Sequence, residues 1–163
     1  MNELTPFSTF SSILAENEPQ AAAWIQGKEV YKTISGIARF YSTPYGGVLI
    51  DVEVFGLPDD STKNDSAFYG MHVHEFGDCS DDFMKTGSHY NPSGAAHPFH
   101  TGDLPSLLST KGYAWLSCYD KRFPLDDIIG RSVVIHRNRD DFTIQPAGDS
   151  GEKIACGVIR RIH

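Results

Sequence analysis

No stretch of the 163-residue chain approaches the roughly 18 consecutive apolar residues that a membrane-spanning helix needs, so no such span is expected. There is no basic tract either. Asp and Glu number 21 against 14 Lys and Arg, a formal charge of −7, and an acidic domain of this kind makes a poor nucleic-acid binder. Cysteine is scarce: Cys79, Cys118 and Cys156, with no C-x-x-C pair, which argues against zinc ribbons and thioredoxin-like redox motifs. Three cysteines allow one disulfide and one leftover thiol. Cys118 lies in the apolar stretch Tyr113-Ala-Trp-Leu-Ser-Cys-Tyr119 and reads as a small buried hydrophobe. The first residues, Met1-Asn-Glu-Leu-Thr-Pro-Phe7, have neither the positive start nor the long apolar segment of a signal peptide. Internal repeats and low-complexity tracts are absent.

What remains is one domain's worth of chain with enough apolar residues, 40%, to close a core. Residues 1–20 read as an N-terminal extension. Thr5-Pro6 is a helix start, and Phe7, Phe10, Ile13 and Leu14 follow at helical spacing until Pro19 ends the segment. From residue 21 to residue 163 the chain reads as an all-β domain. Val48–Phe55 alternates, with Val48, Ile50, Val52 and Val54 on one face. Thr33–Tyr41, Tyr69–Glu75, Gly112–Tyr119, Arg131–His136 and Ile154–Ile162 are further strand candidates. Turn signals at Tyr45-Gly-Gly47, Leu57-Pro-Asp-Asp60 and Asp149-Ser-Gly151 separate them. Short strands joined by such turns argue a sandwich or barrel. Trp24 and Trp115 fall in strand-like segments and are expected in the core or an interface. Phe123–Gly130 has room for one helical turn. Residues 76–111 show no strand periodicity, and a loop that long in a compact domain is usually functional.

Six of the seven histidines lie between residues 72 and 136; the seventh, His163, is read as a free tail. His72 and His74 are two apart in a strand-like context, so both rings face the same way and can reach one ion. His89, His97, His100 and Asp103 lie in the long loop, and three imidazoles with one carboxylate suit a four-coordinate zinc site. His136 ends a strand candidate. Six histidines and an acid exceed the needs of one tetrahedral ion, so one or two metal sites are expected, suited to copper or zinc chemistry. Spacing leaves open which histidines share an ion.

Five motifs then occur in order: Gly70-Met-His-Val-His-Glu-Phe-Gly-Asp78, Gly87-Ser-His-Tyr-Asn-Pro92, His100-Thr-Gly-Asp-Leu104, Gly130-Arg-Ser-Val-Val-Ile-His136 and Ile154-Ala-Cys-Gly-Val-Ile159. Together they resemble the copper,zinc superoxide dismutase family over roughly residues 21–162. The resemblance implies a Greek-key β-barrel flattened like a sandwich, of about eight antiparallel strands with long functional loops. It implies copper on His72, His74, His89 and His136, zinc on His89, His97, His100 and Asp103, and His89 shared between the ions. Asp140 matches the family carboxylate that accepts hydrogen bonds from one ring of each set, here His72 and His97. Cys79 and Cys156 match the family disulfide.

The activity implied is disproportionation of superoxide to oxygen and hydrogen peroxide, with His89 carrying a proton and a cation beside the copper drawing in the anion. That cation is Lys153, where the family usually has arginine; the charge remains and the planar fork does not. A second departure is the spacing of His97 and His100, shorter than in many relatives. Two other readings compete with this one. One is a protein that stores or delivers copper and zinc without turnover. The other is a serine protease, suggested by Gly148-Asp-Ser-Gly151, which is also an ordinary turn sequence. The expected location is the cytoplasm from the missing leader, with an extracytoplasmic one as the alternative because of the disulfide. Homodimer formation stays open.

Overall fold

The computed structural model describes residues 5–59 and 67–162. Thr5 is extended and Pro6 takes the first helical position, where a fixed φ and a missing N–H do no harm; α1 runs Pro6–Glu16. The Thr5 hydroxyl makes no capping bond, but its carbonyl accepts the Ser8 amide at 3.0 Å. The helix ends before Asn17, short of Pro19. Phe10, Ile13 and Leu14 pack on Tyr41, Leu49 and Tyr119. Phe7 does not join them: it is 76% exposed, because the contact begins only one turn later, at Phe10.

The strands are β1 (Ala21–Gly27), β2 (Ser35–Ser42), β3 (Val48–Phe55), β4 (Phe68–Tyr69), β5 (Met71–His74), β6 (Leu107–Leu108), β7 (Ala114–Asp120), β8 (Ser132–His136) and β9 (Lys153–Arg161). A single helical turn, α2 (Leu125–Ile128), precedes β8. Seven strands form one curled antiparallel sheet in the order β5-β8-β9-β1-β2-β3-β7; β4 and β6 make a separate pair. Among the described residues that is nine strands where about eight were expected, two of them only two residues long. No helix among the described residues is long and apolar enough to cross a membrane.

Val48, Ile50, Val52 and Val54 all enter the core, as their alternation requires. The other face of β3 is covered at Leu49 and Asp51 and open at Phe55. Leu49 lies under α1, and the Asp51 carboxylate accepts from Arg39 Nη1 at 3.0 Å, Trp115 Nε1 at 2.8 Å and Ser117 Oγ at 2.6 Å. Both tryptophans are outside the core, at 73% (Trp24) and 63% (Trp115) exposed. In β1 the inward positions belong to Ala21, Ala23 and Ile25, which sends Trp24 outward; in β7 Ala114 faces in and Trp115 out. The stretch expected as one strand over Tyr69–Glu75 is two, broken at Gly70, whose N–H donates to Asn138 O and whose carbonyl accepts from His136. Residues 76–111 hold a short 3-10 segment and β6 but are otherwise irregular. The Cys79–Cys156 disulfide ties this stretch to β9. Cys118 is half-buried against the core, and burial pushes its thiol up to about 11. The Leu57–Asp60 turn signal extends beyond the described residues, and His163 lies outside them.

Candidate metal centre

Strand pairing starts the site. β5 and β8 are antiparallel neighbours, with His72 opposite Val134 and His74 opposite Ser132. A bulge between Ile135 and His136 re-aims the last residue of β8. Isolated bridges join His74 to His89 and His72 to Asp103, bringing the long loop against β5. Two donor sets result. One nitrogen each of His72, His74, His89 and His136 lie within 4.8 Å of one another, and so do single donor atoms of His89, His97, His100 and Asp103. His89 belongs to both. All but His100 are buried.

The hydrogen-bond partners fix the ring tautomers. His74 Nδ1 faces the Gly87 carbonyl at 2.9 Å and His136 Nδ1 the Gly151 carbonyl at 3.2 Å. A carbonyl only accepts, so both Nδ1 atoms carry the proton and both Nε2 atoms carry lone pairs. Those Nε2 atoms are 3.1 Å apart. Asp140 does the reverse for the other two rings. Its Oδ2 accepts from His72 Nε2 and its Oδ1 from His97 Nε2, each at 2.7 Å. His72 Nδ1 and His97 Nδ1 are then bare lone pairs, buried and without a hydrogen bond. Inward lone pairs with no proton between them repel; a cation removes the repulsion.

The second set also has the right size. His89 Nδ1 lies 2.9 Å from Asp103 Oδ1 and 3.3 Å from His100 Nδ1, while Asp103 Oδ2 lies 3.1 Å from His97 Nδ1 and 3.4 Å from His100 Nδ1. Ligands about 2.05 Å from a tetrahedral zinc are separated by about 3.3 Å. The residues present therefore fit the ion, and His89, with Nδ1 in this set, has Nε2 for the other.

Electrostatics agree with neutral rings. Burial, the largest influence on each, holds His72 and His74 well below the usual imidazole range and brings His136 down to about 4. Burial alone would raise Asp103, but the His89 hydrogen bond and the facing imidazoles outweigh it and its carboxyl is lowered. Asp140 is raised, chiefly by burial, against the bond from His97.

A cavity of about 460 Å³ opens onto His74, His89, His136, Glu75 and Lys153. Lys153 Nζ donates to Thr86 Oγ1 at 2.9 Å and to Gly87 O at 3.0 Å, the carbonyl that also holds His74. Burial lowers its ammonium. Gly148 closes the far side of Asp140 with φ +71°; a Cβ there would sit 1.8 Å from Asp140 Oδ1, so both backbone and space demand glycine. Neighbouring Ser150 is buried, its hydroxyl donating to Ala147 O, which gives the Asp-Ser-Gly stretch a turn role.

Several contributors carried no sequence signal. The carbonyls of Gly87 and Gly151 orient two rings, yet any residue type offers a carbonyl. Gln145 bonds both backbone groups of His97, and Arg122 bonds the carbonyls of His100 and Asp103.

The chain is similar to several known proteins. The family model described as copper/zinc superoxide dismutase matches residues 34–159. A Cu-Zn superoxide dismutase of Legionella pneumophila is 33% identical over 159 residues, covering 93% of this chain and 92% of that protein. The human copper chaperone for superoxide dismutase is 32% identical over 142 residues, covering 79% of this chain. The chain spans about half the length of the curated copper chaperones it matches, 49%. The crystal structure of the clock protein EA4 superposes with a TM-score of 0.73 at 33% identity, covering 88% of this chain and 96% of that one. A family model over most of the chain, a relative matched nearly end to end and a shared fold place it plainly: the chain belongs to the copper/zinc superoxide dismutase family.

Proposed function

We propose that this chain disproportionates superoxide, converting two superoxide anions and two protons to oxygen and hydrogen peroxide. One observation carries the reading: two complete donor sets share His89, and each holds a buried inward nitrogen, His72 Nδ1 in one and His97 Nδ1 in the other, that has no hydrogen bond. His72 Nδ1 with the Nε2 atoms of His74, His89 and His136 would hold copper; the Nδ1 atoms of His89, His97 and His100 with Asp103 would hold zinc. A bound copper ion would supply the one-electron redox chemistry that the reaction needs.

The remaining work belongs to the chain. Asp140 fixes the tautomers of one ring in each set, so both point lone pairs inward. His89 keeps Nδ1 on the Asp103 side, so its Nε2 faces the copper set and, when it does not hold the ion, is placed to hold a proton and pass it to the departing peroxide. Lys153 supplies positive charge in a cavity of a protein whose net charge is −7, and a local cation of this kind focuses the field felt by a small anion. Its bonds to Thr86 and Gly87 hold it in place at the wall.

The similarity to copper chaperones favours a second reading, storage or delivery of copper without turnover. One sample separates the two. The chain is loaded with copper and zinc, its metal content is measured, and superoxide consumption is followed on the same material. One of each ion per chain with rapid consumption supports the dismutase reading. Full copper occupancy without consumption overturns it in favour of delivery.

A further inference from the structure

His97 and His100 are separated only by Pro98 and Phe99, and the bonds that hold this short segment from within are few: Phe99 N donates to Ala96 O, Asp103 N to His100 O, and His100 N to Asp103 Oδ2 at 3.0 Å. Two side chains from outside the loop reach it. Arg122, just past the end of β7, donates through Nη1 to His100 O at 3.0 Å and through Nη2 to Asp103 O. The same guanidinium is anchored on the buried Asp120 carboxylate, by Nε at 3.0 and 3.1 Å and by Nη2 at 2.6 Å. Gln145, between β8 and β9, accepts the His97 N–H at 3.0 Å and donates to the His97 carbonyl. Every clamped backbone group belongs to a residue of the second donor set.

We infer that Arg122 and Gln145 are positioning residues that hold His97, His100 and Asp103 in ligating geometry, in place of a longer self-supporting loop. The inference rests on the metal reading of that donor set. The physical reason is direct. A displaced carbonyl carries its Cα with it, and Nδ1 or the carboxylate moves too; donors held to a few tenths of an ångström need no reorganisation when the ion arrives. Arg122 suits the task because one planar fork reaches two carbonyls and a carboxylate at once, which an ammonium cannot do. Asp120 fixes that fork to the barrel, so the loop is referenced to β7. Gln145 suits its task because an amide donates and accepts side by side, matching the N–H and C=O of a single residue. The donor set is thus braced from both sides, from the barrel through Arg122 and from the β8–β9 segment through Gln145.

The test uses the full, disulfide-intact chain stripped of metal and then titrated with cobalt(II), whose visible bands report tetrahedral geometry, and with zinc against a chelator. Copper affinity of the four-histidine set is measured in parallel as an internal control. Arg122→Gln and Gln145→Met are each expected to lose about 10–100-fold in zinc affinity and to weaken the cobalt bands, with copper affinity unchanged. Arg122→Lys keeps the charge beside Asp120 and guards against a folding defect; it is expected to lose zinc affinity as Arg122→Gln does. Parent-like zinc affinity and cobalt spectra in Arg122→Gln and Gln145→Met overturn the inference and leave the metal reading standing. So does rescue by Arg122→Lys, which would assign the effect to charge, or an equal loss of copper, which would assign it to general structure. A parent chain that takes up no cobalt overturns the metal reading, and the inference with it.

Discussion

Asp140→Asn addresses the one carboxylate that serves both donor sets. Each oxygen accepts a ring N–H at 2.7 Å, His72 on one side and His97 on the other, and each acceptance keeps a lone pair on the inward Nδ1. An amide has one acceptor oxygen and one NH2 donor. Whichever way it turns, one ring keeps its partner and the other meets a donor. That second ring must take the opposite tautomer, with its proton on Nδ1 and pointing at the ion's place. Binding at that half-site then requires expelling the proton or leaving a ligand out. The expected loss is about 10–100-fold in affinity, which is about 1.4–2.7 kcal/mol. Loss of the negative charge would weaken both half-sites alike; the tautomer argument demands that one be clearly worse. Chelator competition for zinc and copper, measured separately on parent and variant, reads the difference. Equal affinities in the two proteins, or equal weakening at both half-sites, would refute the reasoning.

Lys153→Ala is expected to lower the superoxide rate while keeping both metals, and the parent's rate should fall with ionic strength as the field is screened over about 8–10 Å. Unchanged turnover in the variant removes Lys153 from the mechanism; Lys153→Arg should keep or raise the rate. Replacing the disulfide pair Cys79 and Cys156, which lie 77 residues apart, by serine should lower stability by about 4–5 kcal/mol on chain entropy, read as a shift in the urea midpoint; a variant as stable as the parent rules that account out. The metal-free chain should lose stability on acidification. His136 is lowered to about 4 in the folded state by burial, so below its unfolded value of about 6.5 the unfolded chain takes the proton first. Stability is then retained above about pH 6.5 and lost as pH falls toward 4, by up to about 1.4 kcal/mol per pH unit for each such ring, with His72 and His74 acting in the same direction. A urea midpoint of the chelated chain that stays flat from pH 7 to about pH 5 would contradict the burial argument.

The parts of this architecture that follow from local chemistry are visible in the chain itself. Val48, Ile50, Val52 and Val54 alternate because a strand's side chains do, and they are the inward face of β3. Pro6 marks the start of α1 for the same kind of reason, a backbone property of one residue. The local pattern also misled in places. Trp24 and Trp115 sit in strands, as expected, but period-two alternation alone does not say which face meets the core, and in each strand the inward position just before the tryptophan is an alanine, Ala23 or Ala114. Tyr69–Glu75 reads as continuous because the break at Gly70 comes from bonds to Asn138 and His136 on distant segments.

The sequence by itself determined that six imidazoles and a carboxylate would be available in strand and loop positions, because residue type and strand periodicity are local properties. Only the tertiary structure decided which nitrogen of each ring faces inward. That choice depends on partners far along the chain: Asp140 lies 68 residues from His72 and 43 from His97, and the carbonyls of Gly87 and Gly151 could have been supplied by any residue type. A tautomer is set by what the other ring nitrogen touches, and that contact exists only once the chain has folded back on itself.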